Sequence, residues 1–124
     1  MKFLNKYNIN KNIRFKSFEE TLKLSYRRGF KTIVETGTAR GKTKFFFIKK
    51  YNWKDGMSTP MFAEYVKFVE GKLHTCDISP ENIENAKNFT ANFSEYIQFY
   101  VQDSLVFLEE FTDPIDLLYL DSLD

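Results

Sequence analysis

Residues 72–87 read KLHTCDISPENIENAK, and two structural periods meet inside that stretch. Lys72 to Cys76 alternates as a strand and stops at an acid, Asp77. Ser79-Pro80-Glu81 then supplies a hydroxyl cap, a proline suited to the first helical turn, and an acidic side chain at the positive end of a helix dipole. The spacing predicts a helix through about Asn92. A strand that passes through a short turn into a helix is the unit of parallel sheets, because parallel neighbours need a crossover connection.

The same alternation recurs on either side of this stretch. Upstream, Ser17 opens a helix signature with Glu20 as a capping box, Phe18, Leu22 and Tyr26 at helical spacing, and Gly29 as a stop. Lys31 to Glu35 (KTIVE) reads as a buried strand that enters the turn Thr36-Gly37, and Ser58-Thr59-Pro60 opens a helix over about Thr59 to Glu70. Downstream, Ile97 to Val101 is a third strand followed by Asp103. Ser104 to Phe111 is a short helix, and Ile115 to Leu120 (IDLLYL) has the apolar character of a parallel strand buried on both faces. Strands alternating with helices predict an α/β fold: a Rossmann-like three-layer α/β/α arrangement with a mostly parallel sheet of about four strands. Residues 1–16, rich in Lys and Asn, are expected to form a loosely held N-terminal arm without a function, and residues 17–124 the single domain.

Composition sets the limits. With 124 residues, 43% hydrophobic and 28% charged, the chain suits one globular domain and excludes two, as it excludes a fibrous or disordered chain. Eighteen Lys and Arg against seventeen Asp and Glu leave a net charge of +1, so no overall field argues for nucleic acid or an anionic membrane. The aromatic share is high at 18%, enough to build a core from rings. Cys76, the single cysteine, has no partner for an internal disulfide, and the start MKFLNKYNINKN lacks the apolar centre of a signal peptide. No apolar run approaches the roughly 18 residues of a membrane span, so the expected address is the cytoplasm.

Ligands of a parallel α/β sheet bind outside the carboxyl ends of its strands. Here those ends carry Glu35-Thr36-Gly37, Asp77, Asp103-Ser104 and Asp121, a carboxylate at or after each strand. In dinucleotide-type folds an acid about 20 residues beyond the glycine loop receives ribose hydroxyls. Gly37 lies 40 positions before Asp77, whereas Gly56 lies 21 before it. The glycine loop is therefore read as split: Glu35-Thr36-Gly37 forms one half, Gly56-Met57-Ser58-Thr59 the other, and residues 38–55 an insertion between them.

With these residues in place, the chain resembles the class I S-adenosylmethionine-dependent methyltransferases from about Lys31 to Asp121. IVETG looks like their first motif, DGMST like the turn into their first helix, LHTCDISPENIENAK like their second strand and following helix, and IDLLYLDS like their fourth strand. The resemblance implies S-adenosyl-L-methionine as cofactor. Glu35, Thr36, Gly37, Gly56 and Ser58 would lie on the methionine side, Asp77 on the ribose, Ile78 against the adenine ring, and Asp103 and Ser104 at the adenine edge. Asp121 would stand near the transferred methyl group as the candidate catalytic residue, with no metal expected and a small molecule or glycan as acceptor. The family fold has about seven strands, so this chain is expected to hold its cofactor-binding half, as a fragment or a truncated product. The exposed edge of the fourth strand then calls for a cover, such as a second copy in a homo-oligomer.

Two other readings use the same region. Gly37-Thr38-Ala39-Arg40-Gly41-Lys42-Thr43 nearly spells a P-loop, with three residues between its glycines where that motif has four. The insertion, with Arg40, Lys42, Lys44, Lys49, Lys50 and Lys54 among Phe45, Phe46, Phe47, Tyr51 and Trp53, also suits stacking on bases and neutralising phosphates, or simply packing into the core. His74, Cys76 and Tyr119 fall inside strands and are read as packing residues.

Overall fold

The computed structural model describes residues 1–10, 12, 14–37 and 58–120. Four helices, α1 (Phe15–Arg27), α2 (Ser58–Val69), α3 (Pro80–Phe89) and α4 (Ser104–Glu110), alternate with four strands, β1 (Thr32–Thr36), β2 (Lys72–Asp77), β3 (Ile97–Val101) and β4 (Leu117–Leu120). Short 3-10 helices occupy Lys2–Tyr7 and Ala91–Tyr96. Every strand pair is parallel and the sheet order is β3-β2-β1-β4. The chain thus steps outward from β1 to β3 and returns to the other side of β1. That reversal puts the topological switch point between β1 and β4, and ligands of such sheets bind at the carboxyl ends beside it. This is the Rossmann-like α/β arrangement expected from the alternation.

Strand alternation splits the core in two. Ile33, Leu73 and Ile97 point to the side covered by α1 and α2, where Phe15, Phe18, Leu22, Phe62, Tyr65 and Val66 complete a large cluster. Val34 and Cys76 point to the opposite side, where Phe107 of α4 closes a smaller cluster with Tyr100, Leu108 and Phe111 packed around it. Aromatic edges carry much of the larger cluster: Phe62 meets Phe18 at 5.8 Å and Tyr119 at 5.4 Å.

Three expectations change. The N-terminal arm is held: Leu4 and Tyr7 are buried in the main cluster, and the Tyr7 hydroxyl donates to Glu64, which also pairs with Lys6 at 2.6 Å. A polar sequence with one apolar residue per turn can still dock when its few large side chains find a core. Helix α1 begins at Phe15 without a side-chain cap, and Ser17 is exposed within its first turn. Burial of Phe15 extends the helix past the capping-box signal, since tertiary packing outweighs a cap of about 1 kcal/mol. Finally, β4 is half-buried on one face and open on the other: Leu117 and Tyr119 pack partly against the main cluster, while Leu118 and Leu120 remain 42% and 56% exposed. The sheet order places it at an edge.

The amino ends of the strands are tied by backbone. Gly71 follows Glu70, whose φ of 57° ends α2 in a left-handed turn. A Cβ at Gly71 would run into the Lys31 carbonyl, so only glycine lets β2 start alongside β1. The Asp116 carboxylate accepts from the Lys31 and Thr32 amides at 2.8 and 3.0 Å, and these bonds hold it below the usual carboxylate range. The Tyr65 hydroxyl donates to the Phe30 carbonyl at 2.8 Å, and burial pushes it up to about 12.

Candidate functional site at the carboxyl ends of the strands

Register aligns the strand ends. Thr36 pairs with Cys76 on one side and Leu120 on the other, and Asp77 pairs with Val101. The ladder continues one residue further, with the Gly37 amide on the Cys76 carbonyl at 2.9 Å and the Gln102 amide on the Asp77 carbonyl at 3.0 Å. Gly37 turns with φ of 82°, a conformation that favours glycine and leads the chain away from β1. Asp77, Ile78, Asp103 and Ser104 are thereby brought to one end of the sheet, together with Gly37.

Glu35 takes a different position from its neighbours. It is fully buried, and its carboxylate accepts from the hydroxyls of Ser58, Thr59 and Thr75, the last two at 2.7 Å. Residues 23 and 24 positions apart in sequence therefore meet at one carboxylate, which joins the end of β1 to the start of α2. A buried carboxyl group persists only when its oxygens are met by good donors. Ser58 uses its hydroxyl in this contact, so it serves the junction. Thr36 is buried within β1. Sequence reasoning did not identify Thr59 and Thr75 as partners of Glu35; alternation in KLHTCD, which sets Thr75 and Glu35 at equivalent strand positions, was the available signal.

Asp77 is half-buried. Its Oδ1 accepts from the Ser79 amide at 2.8 Å and from Asn82 Nδ2 at 3.2 Å, while Oδ2 receives no hydrogen bond from a described residue. Ser79 caps α3 by accepting from the Asn82 amide, with Pro80 in the first turn as the motif predicts. Asn82 therefore orients both the cap and the acid, a role invisible to motif reading. Ile78, next in chain, is 72% exposed, an apolar side chain left beside a fixed carboxylate. Asp103 stands before α4 in extended conformation, exposed, and its side chain makes no capping bond. Two carboxylates and an apolar side chain thus offer acceptors and a flat contact. Gly56, Asp121 and the insertion 38–55 lie outside the described residues.

Two further ionisable side chains of β2, His74 and Cys76, serve packing. Burial, with a contribution from Lys72, lowers the His74 imidazole, whose Nδ1 lies 2.9 Å from the Tyr100 hydroxyl beside the ring of Phe111. Burial pushes the Cys76 thiol up to about 11, which leaves it unreactive near neutral pH. Among the described residues, no three His, Cys, Asp or Glu side chains stand together to hold a metal ion, and no helix is long and apolar enough to cross a membrane.

Comparison with known proteins places this arrangement. Three solved structures share the fold over 86% of this chain: cofactor-bound Rv0187 from MTB (TM-score 0.64, 19% identity), SAH-bound methyltransferase PaMTH1 of Podospora anserina (0.63, 15%), and an O-methyltransferase from Bacillus cereus in complex with SAH (0.63, 19%). The chain spans 43%, 40% and 44% of their respective lengths. No curated protein matches. A family model described as a methyltransferase domain matches residues 34–124, from the second half of β1 onward. The chain belongs to that methyltransferase-domain family.

Proposed function

We propose that this chain binds S-adenosylmethionine across the carboxyl ends of its strands and serves methyl transfer to an acceptor. The observation that carries the reading is Asp77, oriented by Ser79 and Asn82 through one oxygen while the other accepts nothing from the described residues, beside exposed Ile78. The donor set of the cofactor suits these residues. Its two ribose hydroxyls would donate to Asp77, its adenine amine to Asp103, and Ile78 would cover the ring, with Ser104 at the adenine edge. Gly37 would admit the methionine part against bare backbone. Glu35 would act through the junction it braces, holding the glycine turn and the start of α2 at a fixed separation. When bound, the cofactor supplies an electrophilic methyl group; this chain supplies alignment and exclusion of water. Asp121, directly after β4, is the candidate to orient the acceptor or take its proton.

The family implies an acceptor; we propose a small molecule or glycan, and a cytoplasmic address in keeping with a single buried thiol. Titration calorimetry of the purified chain with S-adenosylhomocysteine tests the cofactor reading. Micromolar binding is expected, and Asp77→Ala should weaken it on the order of a hundredfold by removing two charge-assisted hydrogen bonds. A folded chain that does not bind, or a variant that binds as well, would overturn it.

A further inference from the structure

The balanced net charge hides a strong polarity along the chain. Fifteen of the eighteen Lys and Arg precede residue 58, against four acids; the remainder holds three bases and thirteen acids. Within residues 1–31 the count is nine bases to two acids, and these residues build the first 3-10 helix, α1 and the turn before β1. An aromatic strip crosses that surface. Phe68, near the end of α2, meets Phe3 at 5.7 Å and Tyr26 at 5.5 Å, and Phe68 and Tyr26 remain 49% and 52% exposed. Lys2 and Arg27 adjoin the two ends of the strip in sequence, are exposed, and have no carboxylate partner among the described residues. The acids of this surface are Glu19, 3.8 Å from Lys16 and 3.7 Å from Lys23, exposed Glu20 on α1, Glu64, which pairs with Lys6, and Glu70, exposed beyond Phe68.

We propose that this surface binds single-stranded nucleic acid, with phosphates on the cations and bases on the exposed faces of Tyr26 and Phe68. Three features favour that occupant. The cations are distributed along a 13-residue helix, about 20 Å, which suits a chain of phosphates better than one anionic group. The exposed apolar groups of the strip are rings held in mutual contact on rigid elements, which offer stacking faces rather than aliphatic side chains to insert into lipid. The strip also lies where α1 and α2 end, at the amino ends of β1 and β2, the pole opposite Asp77 and Asp103. A bound strand would leave the carboxyl ends of the sheet open.

The test is fluorescence anisotropy of the full chain with a labelled 12-nucleotide single-stranded RNA. Binding is expected to weaken by more than tenfold between 50 and 200 mM salt, as about three phosphate contacts require. Reversal of Lys2 and Arg27 to glutamate should lower affinity at least tenfold, and Tyr26→Ser at least fivefold. Both variants keep the buried core, and an unchanged thermal transition checks this. Their binding of S-adenosylhomocysteine should equal that of the unmodified chain, which separates this surface from the cofactor reading. Absence of RNA binding at 50 mM salt, variants that bind RNA equally well, or binding of phosphatidylglycerol vesicles in place of RNA would each overturn the proposal.

Discussion

The two ends of one sheet handle their polar groups differently. At the amino ends, the Asp116 carboxylate is taken up by two backbone amides, the Tyr65 hydroxyl by a carbonyl, and Gly71 lies against Lys31. At the carboxyl ends, Glu35 is enclosed by three hydroxyls, yet Asp77 engages one oxygen and the Asp103 side chain makes no cap. Groups at the amino ends are consumed by local backbone, whereas Asp77 is oriented through one oxygen while the other accepts nothing from the described residues. Position in a parallel sheet explains the difference, since helix N-termini and turns converge only at the carboxyl ends.

Glu35 tests the comparison hardest, because it sits at the ligand end but resembles the other in its closure. Glu35→Ala removes one carboxylate from three buried hydroxyls and should cost roughly 3 kcal/mol, read as a lowered denaturation midpoint. Glu35→Gln, which keeps one acceptor, should lose about half as much. A loss under 0.5 kcal/mol for the alanine variant would remove the bracing role.

Asp116 comes next. Its carboxyl is held below the usual range in the folded chain, so its contribution is complete above the unfolded value of about 4 and disappears as pH falls through the folded value. The group is largely exposed, so screening reduces its worth, and Asp116→Ala should cost about 1 kcal/mol at neutral pH. The gap between the two proteins should narrow below pH 4; a gap that widens in acid would contradict the assignment.

The smallest stability effect belongs to Asp103. Asp103→Ala should change stability by no more than about 0.5 kcal/mol, since the side chain is exposed and caps nothing. It should nevertheless weaken S-adenosylhomocysteine binding about fivefold or more, measured by calorimetry. Equal affinity would confine the ligand-ready acids to Asp77.

Much of this was legible in the residues. KLHTCDISPENIENAK gave strand, cap and helix because each step depends on neighbours within four positions, and Ser79 caps α3 as written. Ser58 and Thr59, which the residues mark as the opening of a helix, meet Glu35 at the end of β1, while Gly56 lies outside the described residues. What remained illegible depended on distance in sequence. Tyr7 reaches Glu64 across 57 positions, and Phe15 is drawn into a core that no local pattern announces. The partial burial of β4 follows from its place at the sheet edge, which IDLLYL does not encode.

The alternation of elements, the acids that end three of the described strands and the cap that opens α3 are written in the residues, because they rest on short-range backbone preference and hydrophobic period. Which of those acids are enclosed, and which have an oxygen that accepts nothing from the described residues, follows from packing between elements distant in the chain. That outcome is set by which hydroxyls and amides the packing of α2, β2 and α3 brings within hydrogen-bond distance.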